Sequence, residues 1–332
     1  MGRTLHLSVE EMTEVFQCIL EKHGVCAQEA GSIANVFGCN ASHGVLSHSV
    51  NRFPLMVKYL DDGLIKAGLE PERISGFKSV ERWNARFGFG ITSASFSMKR
   101  AMDLAREYGS GVVTTIHSNH WMRGGYYGHL AAENGFIGLC WTITGRNLVP
   151  WGASEPMIGN NPFVIAVPRK KGNLVFDSSM AQYSWGQIGE YQRRGEKLPS
   201  FGGYDSDGNL TDDPSLLLES FKALPAGLWK GSALSIILEA AACSLGQSRT
   251  VSEMELSNIV ETDMTQVFMA IDPRAVCEGC EFDAEVDRIV ESLHGCSSTR
   301  YPGERAKKNS DRAREEGVPI PEESWNKVIE ML

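Results

Sequence analysis

Residues 91–142, ITSASFSMKRAMDLAREYGSGVVTTIHSNHWMRGGYYGHLAAENGFIGLCWT, decide the fold class. Ile91 to Gly109 reads as a helix with glycine as its stop, and GVVTTI after it is a β-branched run typical of a buried strand. YYGHLAAENG then predicts a second helix and FIGLCWT a second strand. Helix and strand alternate. Three more apolar runs, FVIAV at 163–167, NLVFD at 173–177 and TQVFMAID at 265–272, supply further strands at irregular intervals. The expectation is an α/β fold with a mixed sheet flanked by helices.

Outward from that centre, both ends read as helical. SVEEMTEVFQCILEKHG places Val9, Met12, Val15, Phe16, Ile19 and Leu20 at helical spacing, with Ser8 and Glu11 as a capping box and Gly24 as a stop. AQEAGSIANVFGC puts Ala30, Ile33, Ala34 and Phe37 on one face of a second helix. WKGSALSIILEAAACSLG, after Gly227, is apolar all round and predicts a buried helix. ERAKKNSDRAREEG at 304–317 has only two alanines as apolar residues and reads as a solvated helix or a mobile segment. EESWNKVIEML predicts a last helix docking Trp325, Val328, Ile329 and Leu332. Two regions with soft boundaries are expected: 1–85 with 280–332, mostly helical, and 86–279, α/β.

Over 332 residues, 42% are hydrophobic and 22% charged, which describes a packed globular chain of one large or two ordinary domains. Lys and Arg number 32 against 41 Asp and Glu, a net charge of −9 that disfavours nucleic acid, because phosphate binding needs clustered cations. No stretch approaches the ~18 to 20 apolar residues of a membrane span, and MGRTLHLSVEEM lacks a signal-peptide core. A soluble cytoplasmic protein is expected. The cysteines at 18, 26, 39, 140, 243, 277, 280 and 296 lack the regular spacing of a disulfide framework and read as reduced thiols. Cys277 and Cys280 form C-x-x-C, but only His294 and Cys296 follow, an incomplete zinc set, so no metal is expected.

GFGITS at 88–93 comes within one residue of G-x-G-x-x-G, yet ERWNARF before it is a poor buried strand and GVVTTI ends in HSNH rather than an acidic residue. A Rossmann site is not expected. Walker A, G-x-S-x-G, H-E-x-x-H and a complete EF-hand are absent, and DSDGN at 205–209 reads as an Asp-Gly turn. What remains is histidine beside arginine. In SHGVLSHSVNRF, a turn in which Pro54 biases Phe53 toward extended geometry, His48 precedes Arg52 by four residues. If that stretch is locally helical, imidazole and guanidinium share one side, a pair suited to a 2-oxo acid: arginine grips the carboxylate and histidine protonates the forming alkoxide. In HSNHWMRGGYYGH, after the strand, His117, Asn119, His120 and Arg123 lie on a strand-to-helix loop, a common ligand site; His120 and Trp121 could equally cap a sheet edge. NLVFDSSMAQYSWG and LPAGLWKGS offer hydroxyls, Lys230 and a helix start suited to pyrophosphate, although Asp177 reads as well as a turn residue and Lys230 as a solvated cation.

SHSVNRFP, SNHWMRGGYYG, IGNNPFVIAVP, FDSSM, LPAGLWKGSALSIILE and YPGER occur in the order seen in the type 2 malate/L-lactate dehydrogenase family, also called L-sulfolactate dehydrogenase-like, which the chain resembles over its length. VNRFP, NHWMRGG, PWGA, LPAGLWKGS and DGNLT are most similar to the branch that reduces 2,3-diketo-L-gulonate. The resemblance implies a non-Rossmann cofactor-binding sheet, a homodimer, and an NADH-dependent reductase of a sugar-derived 2-oxo acid, with NADPH the alternative carrier. Carried over, the proton donor falls on His48 and a second acid/base histidine on His120. The carboxylate partner falls on Arg52, with Asn119 and Arg123 of the strand-to-helix loop read as further substrate contacts, and cofactor contacts fall on Thr144, Phe176, Asp177, Ser178, Ser179, Trp229, Lys230, Gly303 and Glu304. Reduction of a simpler oxo acid, of malate, lactate, sulfolactate or ureidoglycolate type, is the first alternative, and an inactive ligand-binding sensor the second. The sensor reading rests on one departure: the family's S-H-G is Ser47-His48-Ser49 here, strained if that backbone lies at positive φ. The residues after PGE, RAKKNSDR, are also more basic than expected.

Overall fold

The computed structural model describes residues 3–254, 261–276 and 283–332. In chain order, β1 (Thr4–Leu7) leads into the helices α1 (Val9–Lys22), α2 (Ala27–Ser42) and α3 (Phe53–Asp61). The strands β2 (Glu72–Phe77) and β3 (Val80–Asn84) precede α4 (Gly90–Tyr108), β4 (Ser110–Ser118), α5 (Gly124–Glu133) and β5 (Ile137–Thr142). Next come β6 (Phe163–Val167), β7 (Leu174–Ser178), α6 (Trp185–Arg194), β8 (Gly203–Tyr204), β9 (Leu210–Thr211), α7 (Pro214–Ser220) and β10 (Lys222–Ala223). The remainder holds α8 (Trp229–Gly246), β11 (Met264–Ile271), α9 (Asp283–His294), α10 (Glu304–Glu316), β12 (Val318–Pro321) and α11 (Glu322–Ile329).

Seven strands form one sheet in the order β2-β3-β4-β11-β5-β6-β7, in which only β3 and β4 run parallel. This is a mixed α/β sheet and not a doubly wound one, so the near-match GFGITS carries no Rossmann turn. β11 lies at its centre and buries Val267 and Phe268 on opposite faces, as a strand covered on both sides must. On one face Met98 and Ala101 of α4, Tyr127 and Ala131 of α5, and Phe136 just before β5 share a core with Phe268. On the other, Leu238 and Ala242 of α8 meet Trp141, Ile143 and Val267.

A separate helical core joins the two ends of the chain. Phe16, Phe37 and Phe53 stack with ring centroids 4.5 to 5.5 Å apart, Trp325 meets Phe16 edge-on at 5.9 Å, and β1 pairs with β12 beside them. The capping box of Ser8 and Glu11 starts α1, and 304–316 is helical as α10.

Four local expectations are corrected. Residues 72–84, assigned to the helical region, are β2 and β3 of the large sheet; ERWN holds a strand because Arg100 pairs with the buried Glu81 carboxylate at 2.8 and 2.9 Å. Phe53 is helical, since Pro54 occupies the first turn of α3, where its missing N–H costs nothing. α8 is covered on one face only: Trp229 and Ile237 stand 60% and 64% exposed. Trp325 and Val328 dock as expected, whereas Ile329 and Leu332 stay at the surface. DSDGN does form a turn, with the Asn209 N–H donating to Asp205 Oδ1 at 2.8 Å between β8 and β9. The described cysteines are free thiols, while Cys277 and Cys280 lie outside the described residues.

Candidate active site

His48 ends a short 3₁₀ turn, Leu46–His48, that leaves α2. Two buried side chains fasten it to that helix: Asn40 Nδ2 donates to the His48 carbonyl at 3.1 Å, and Ser49 Oγ donates to the Phe37 carbonyl at 2.7 Å. The Ser49 carbonyl accepts from the Arg52 and Phe53 N–H groups at 2.9 and 3.0 Å, which sets Arg52 one turn after His48. Ser49 has φ −134°, so the strain expected of a non-glycine residue does not arise.

The loop after β4 brings in the second histidine. Gly90, at the start of α4, lies so close that a Cβ there would meet the Asn119 and His120 carbonyls at 2.1 and 2.4 Å. His120 and His48 stack with centroids 5.8 Å apart. Burial, then the Arg52 charge, pulls both below the ordinary imidazole range, His48 to about 4; Arg123 adds to that fall and Asp177 opposes it. Their tautomeric freedom differs. The Met122 N–H donates to His120 Nδ1 at 3.0 Å, so the His120 proton sits on Nε2. His48 Nδ1 faces the Ser47 hydroxyl at 3.0 Å, a partner that can accept, so His48 alone can be doubly protonated without breaking a bond.

The cations here are paired. Arg52 forms an ion pair with Glu261, whose other oxygen lies 3.9 Å from His120 Nε2. Arg123 Nε donates to Asp177 at 3.0 Å, and its Nη1 lies 2.6 Å from His43 Nδ1. Gly125 leaves room for Asp177, because a Cβ there would stand 2.4 Å from Oδ2. Asn119, expected at the substrate, is turned inward instead: its Nδ2 donates to the Phe87 and Gly88 carbonyls at 2.9 and 2.8 Å and holds the loop. His117 pairs with Asp263 at 2.7 Å. Sequence reasoning missed Glu261, since ETDMTQ has no local pattern that points across the fold to Arg52, and it set aside His43, in a literal S-H-G at 42–44, because VNRFP anchors the register on His48.

The blocks expected to hold a cofactor lie along β7. The Val175 N–H donates to the Pro302 carbonyl at 2.8 Å, which sets Gly303 against the start of the strand beside Asn173 and Val175, and the Ala226 N–H donates to the Met180 carbonyl at 2.8 Å just past its end, bringing in the loop before Trp229 and Lys230. Asn160 joins Thr144 to the same place, accepting from its hydroxyl at 2.8 Å and from the Met180 N–H at 2.7 Å. Exposed Lys230, the hydroxyls of Ser178 and Ser179 and the first turns of α8 and α10 are donors of the kind a pyrophosphate accepts from. Glu304 itself is committed locally: Lys308, His294 and the Tyr301 N–H hold its carboxyl down at about 2. Among the described residues no cluster of His, Cys, Asp and Glu is placed to hold a metal.

A mixed, non-Rossmann sheet here carries two stacked imidazoles beside a guanidinium, a combination able to hold a small carboxylate and move a proton. The sequence profile of the malate/L-lactate dehydrogenase family matches residues 7–329, so the chain belongs to that family. It is 36% identical over 330 residues, 98% of this chain and 99% of the relative, to a protein of Klebsiella pneumoniae named 2,3-diketo-L-gulonate reductase, and equally to one of that name from Citrobacter koseri. Malate dehydrogenase of Entamoeba histolytica shares the fold with a TM-score of 0.93 at 24% identity, covering 99% of this chain and 97% of that one. Sulfolactate dehydrogenase of Methanocaldococcus jannaschii superposes with a TM-score of 0.90 at 27% identity, covering 98% and 96%.

Proposed function

We propose that the chain reduces a sugar-derived 2-oxo acid, 2,3-diketo-L-gulonate above all, with NADH as reductant and NADPH as the alternative. The observation that carries this reading is the pair of stacked imidazoles beside Arg52, supported by relatives that bear that reductase's name along their whole length. Bound nicotinamide supplies the hydride. Arg52 takes the substrate carboxylate, the His120 Nε2–H group donates a hydrogen bond to the carbonyl oxygen, and His48 delivers the proton. Arg123, with guanidinium N–H groups left over from Asp177 and His43, faces the same space. Ser178, Ser179, Lys230 and the first turns of α8 and α10 hold the cofactor phosphates, with Thr144, Phe176, Asp177, Trp229, Gly303 and Glu304 around them.

An NADH-oxidation assay against 2,3-diketo-L-gulonate, oxaloacetate, pyruvate and sulfopyruvate tests it. The expected result is the highest kcat/KM for the sugar acid. A preference for a simple oxo acid, which the sulfolactate dehydrogenase likeness favours as the second reading, overturns the substrate; no NADH consumption with any acid overturns the activity. The sensor reading loses its one support, because Ser49 lies at negative φ and its hydroxyl is hydrogen-bonded. We also propose a homodimer joined through the open apolar face of α8, where Leu234, Ile236 and Ile237 are exposed. The free thiols support a reducing compartment such as the cytoplasm.

A further inference from the structure

The ion pair between Arg52 and Glu261 puts an internal carboxylate where the proposed reaction needs the substrate's. Arg52 sits beside both histidines and lowers their proton affinity, and Glu261 reaches His120 with its second oxygen, so this carboxylate spans the space between guanidinium and imidazole. The other guanidinium nearby, Arg123, already has Asp177. These two cations and two carboxylates balance.

We propose that Glu261 determines substrate charge: it occupies Arg52 in the free enzyme, yields it to the carboxylate of a monoanionic oxo acid, and repels a second carboxylate. Once displaced, the Glu261 carboxylate accepts hydrogen bonds, which suits the hydroxyl-bearing tail of a sugar acid. A dicarboxylate instead sets its second anion against Glu261, where among the described residues the nearby guanidinium of Arg123 is already paired with Asp177. This inference rests on the reading of Arg52 as carboxylate ligand, and it adds a residue that the sequence motifs do not contain.

Oxamate and oxalate have nearly one shape and differ by one negative charge, so calorimetric titration of each into the whole chain tests the proposal. Wild type is expected to bind oxamate more tightly than oxalate. Glu261→Gln should bind oxamate about tenfold more tightly, a change of about 1.4 kcal/mol, and oxalate by a larger factor. Glu261→Asp, which keeps the charge on a shorter arm, should fall between, and it serves as the test if the glutamine variant does not fold. Equal or weaker oxamate binding by the variants means that Glu261 merely orients Arg52 and overturns the proposal. So does the absence of oxamate binding to every form, since Arg52 freed of Glu261 must then capture a carboxylate. Turnover is read separately. Wild type that reduces oxo acids beside a variant with unchanged affinity sinks the role of Glu261 alone, whereas tighter binding without any reduction sinks the proposed reaction and leaves Glu261 standing.

Discussion

At the scale of single residues, the two histidines are chemically unequal although both are half-buried beside the same arginine. His120 Nδ1 must accept from the Met122 N–H, so a second proton there would break that bond; His48 has a hydroxyl partner that serves either protonation state. His48→Asn should therefore lower kcat by about 10² to 10⁴-fold while leaving NADH affinity unchanged, as fluorescence titration would show; a parallel loss of both would mean that His48 holds cofactor or fold. Reduction consumes the protonated form, and His48 in the free enzyme is pulled down to about 4. Its protonated fraction grows as pH falls, so kcat/KM for reduction should climb toward pH 4, while the kcat limb lies at higher pH because a bound carboxylate neutralises Arg52. A kcat/KM that rises with pH would contradict this. His48 and Arg52 were legible because four residues separate them. Glu261 was not, because more than two hundred residues of chain separate it from Arg52, and nothing in ETDMTQ reports that crossing.

At the scale of elements, the helix starts decide how closely the catalytic loops approach. Gly90 lets α4 touch the Asn119 and His120 carbonyls, and neither backbone atom can rotate away as a side chain would. Gly90→Ala should cost about 1 to 3 kcal/mol of stability and displace His120, seen as a lower melting temperature together with lower kcat/KM; retained activity would show that the loop has room to give. Ser49 acts on the other loop. Its hydroxyl ties the His48 turn to α2, so Ser49→Ala should cost about 1 kcal/mol in chemical denaturation, with Ser49→Gly costing more because glycine also loosens the unfolded chain. Element types were legible where periodicity was strong, as in α1, α2, α4, β4 and β11. ERWN misled because its buried charge is cancelled by Arg100 from another element, and α8 misled because composition does not reveal which side a helix turns outward.

At the scale of the whole molecule, alternation of helix and strand announced the α/β class, but the order β4-β11-β5 could not be read, since β11 enters the sheet more than a hundred residues after its neighbours. The open face of α8 makes an assembly prediction: Ile237→Asp should shift sedimentation from dimer to monomer, and an unchanged dimer would place the interface elsewhere. Acid stability follows from the buried histidines taken together. Burial and the Arg123 charge hold His43 at about 3 and His129 at about 4, their rings 4.9 Å apart, and burial with Arg52 holds His48 at about 4. In the unfolded chain each returns to about 6.5 and binds a proton that the folded form refuses. Stability is thus fully present above pH ~6.5 and falls as pH drops toward 4, by about 1.4 kcal/mol per pH unit for each histidine, or about 5.6 for the four once His120, likewise held well below its ordinary range, is counted. Denaturation curves between pH 6 and 5 should approach that slope, and His129→Gln, which removes one titrating ring, should flatten it by about a quarter. An identical slope in the variant would mean that His129 is protonated in the folded protein, and that the positive charge of Arg123 does not govern this part of the interior.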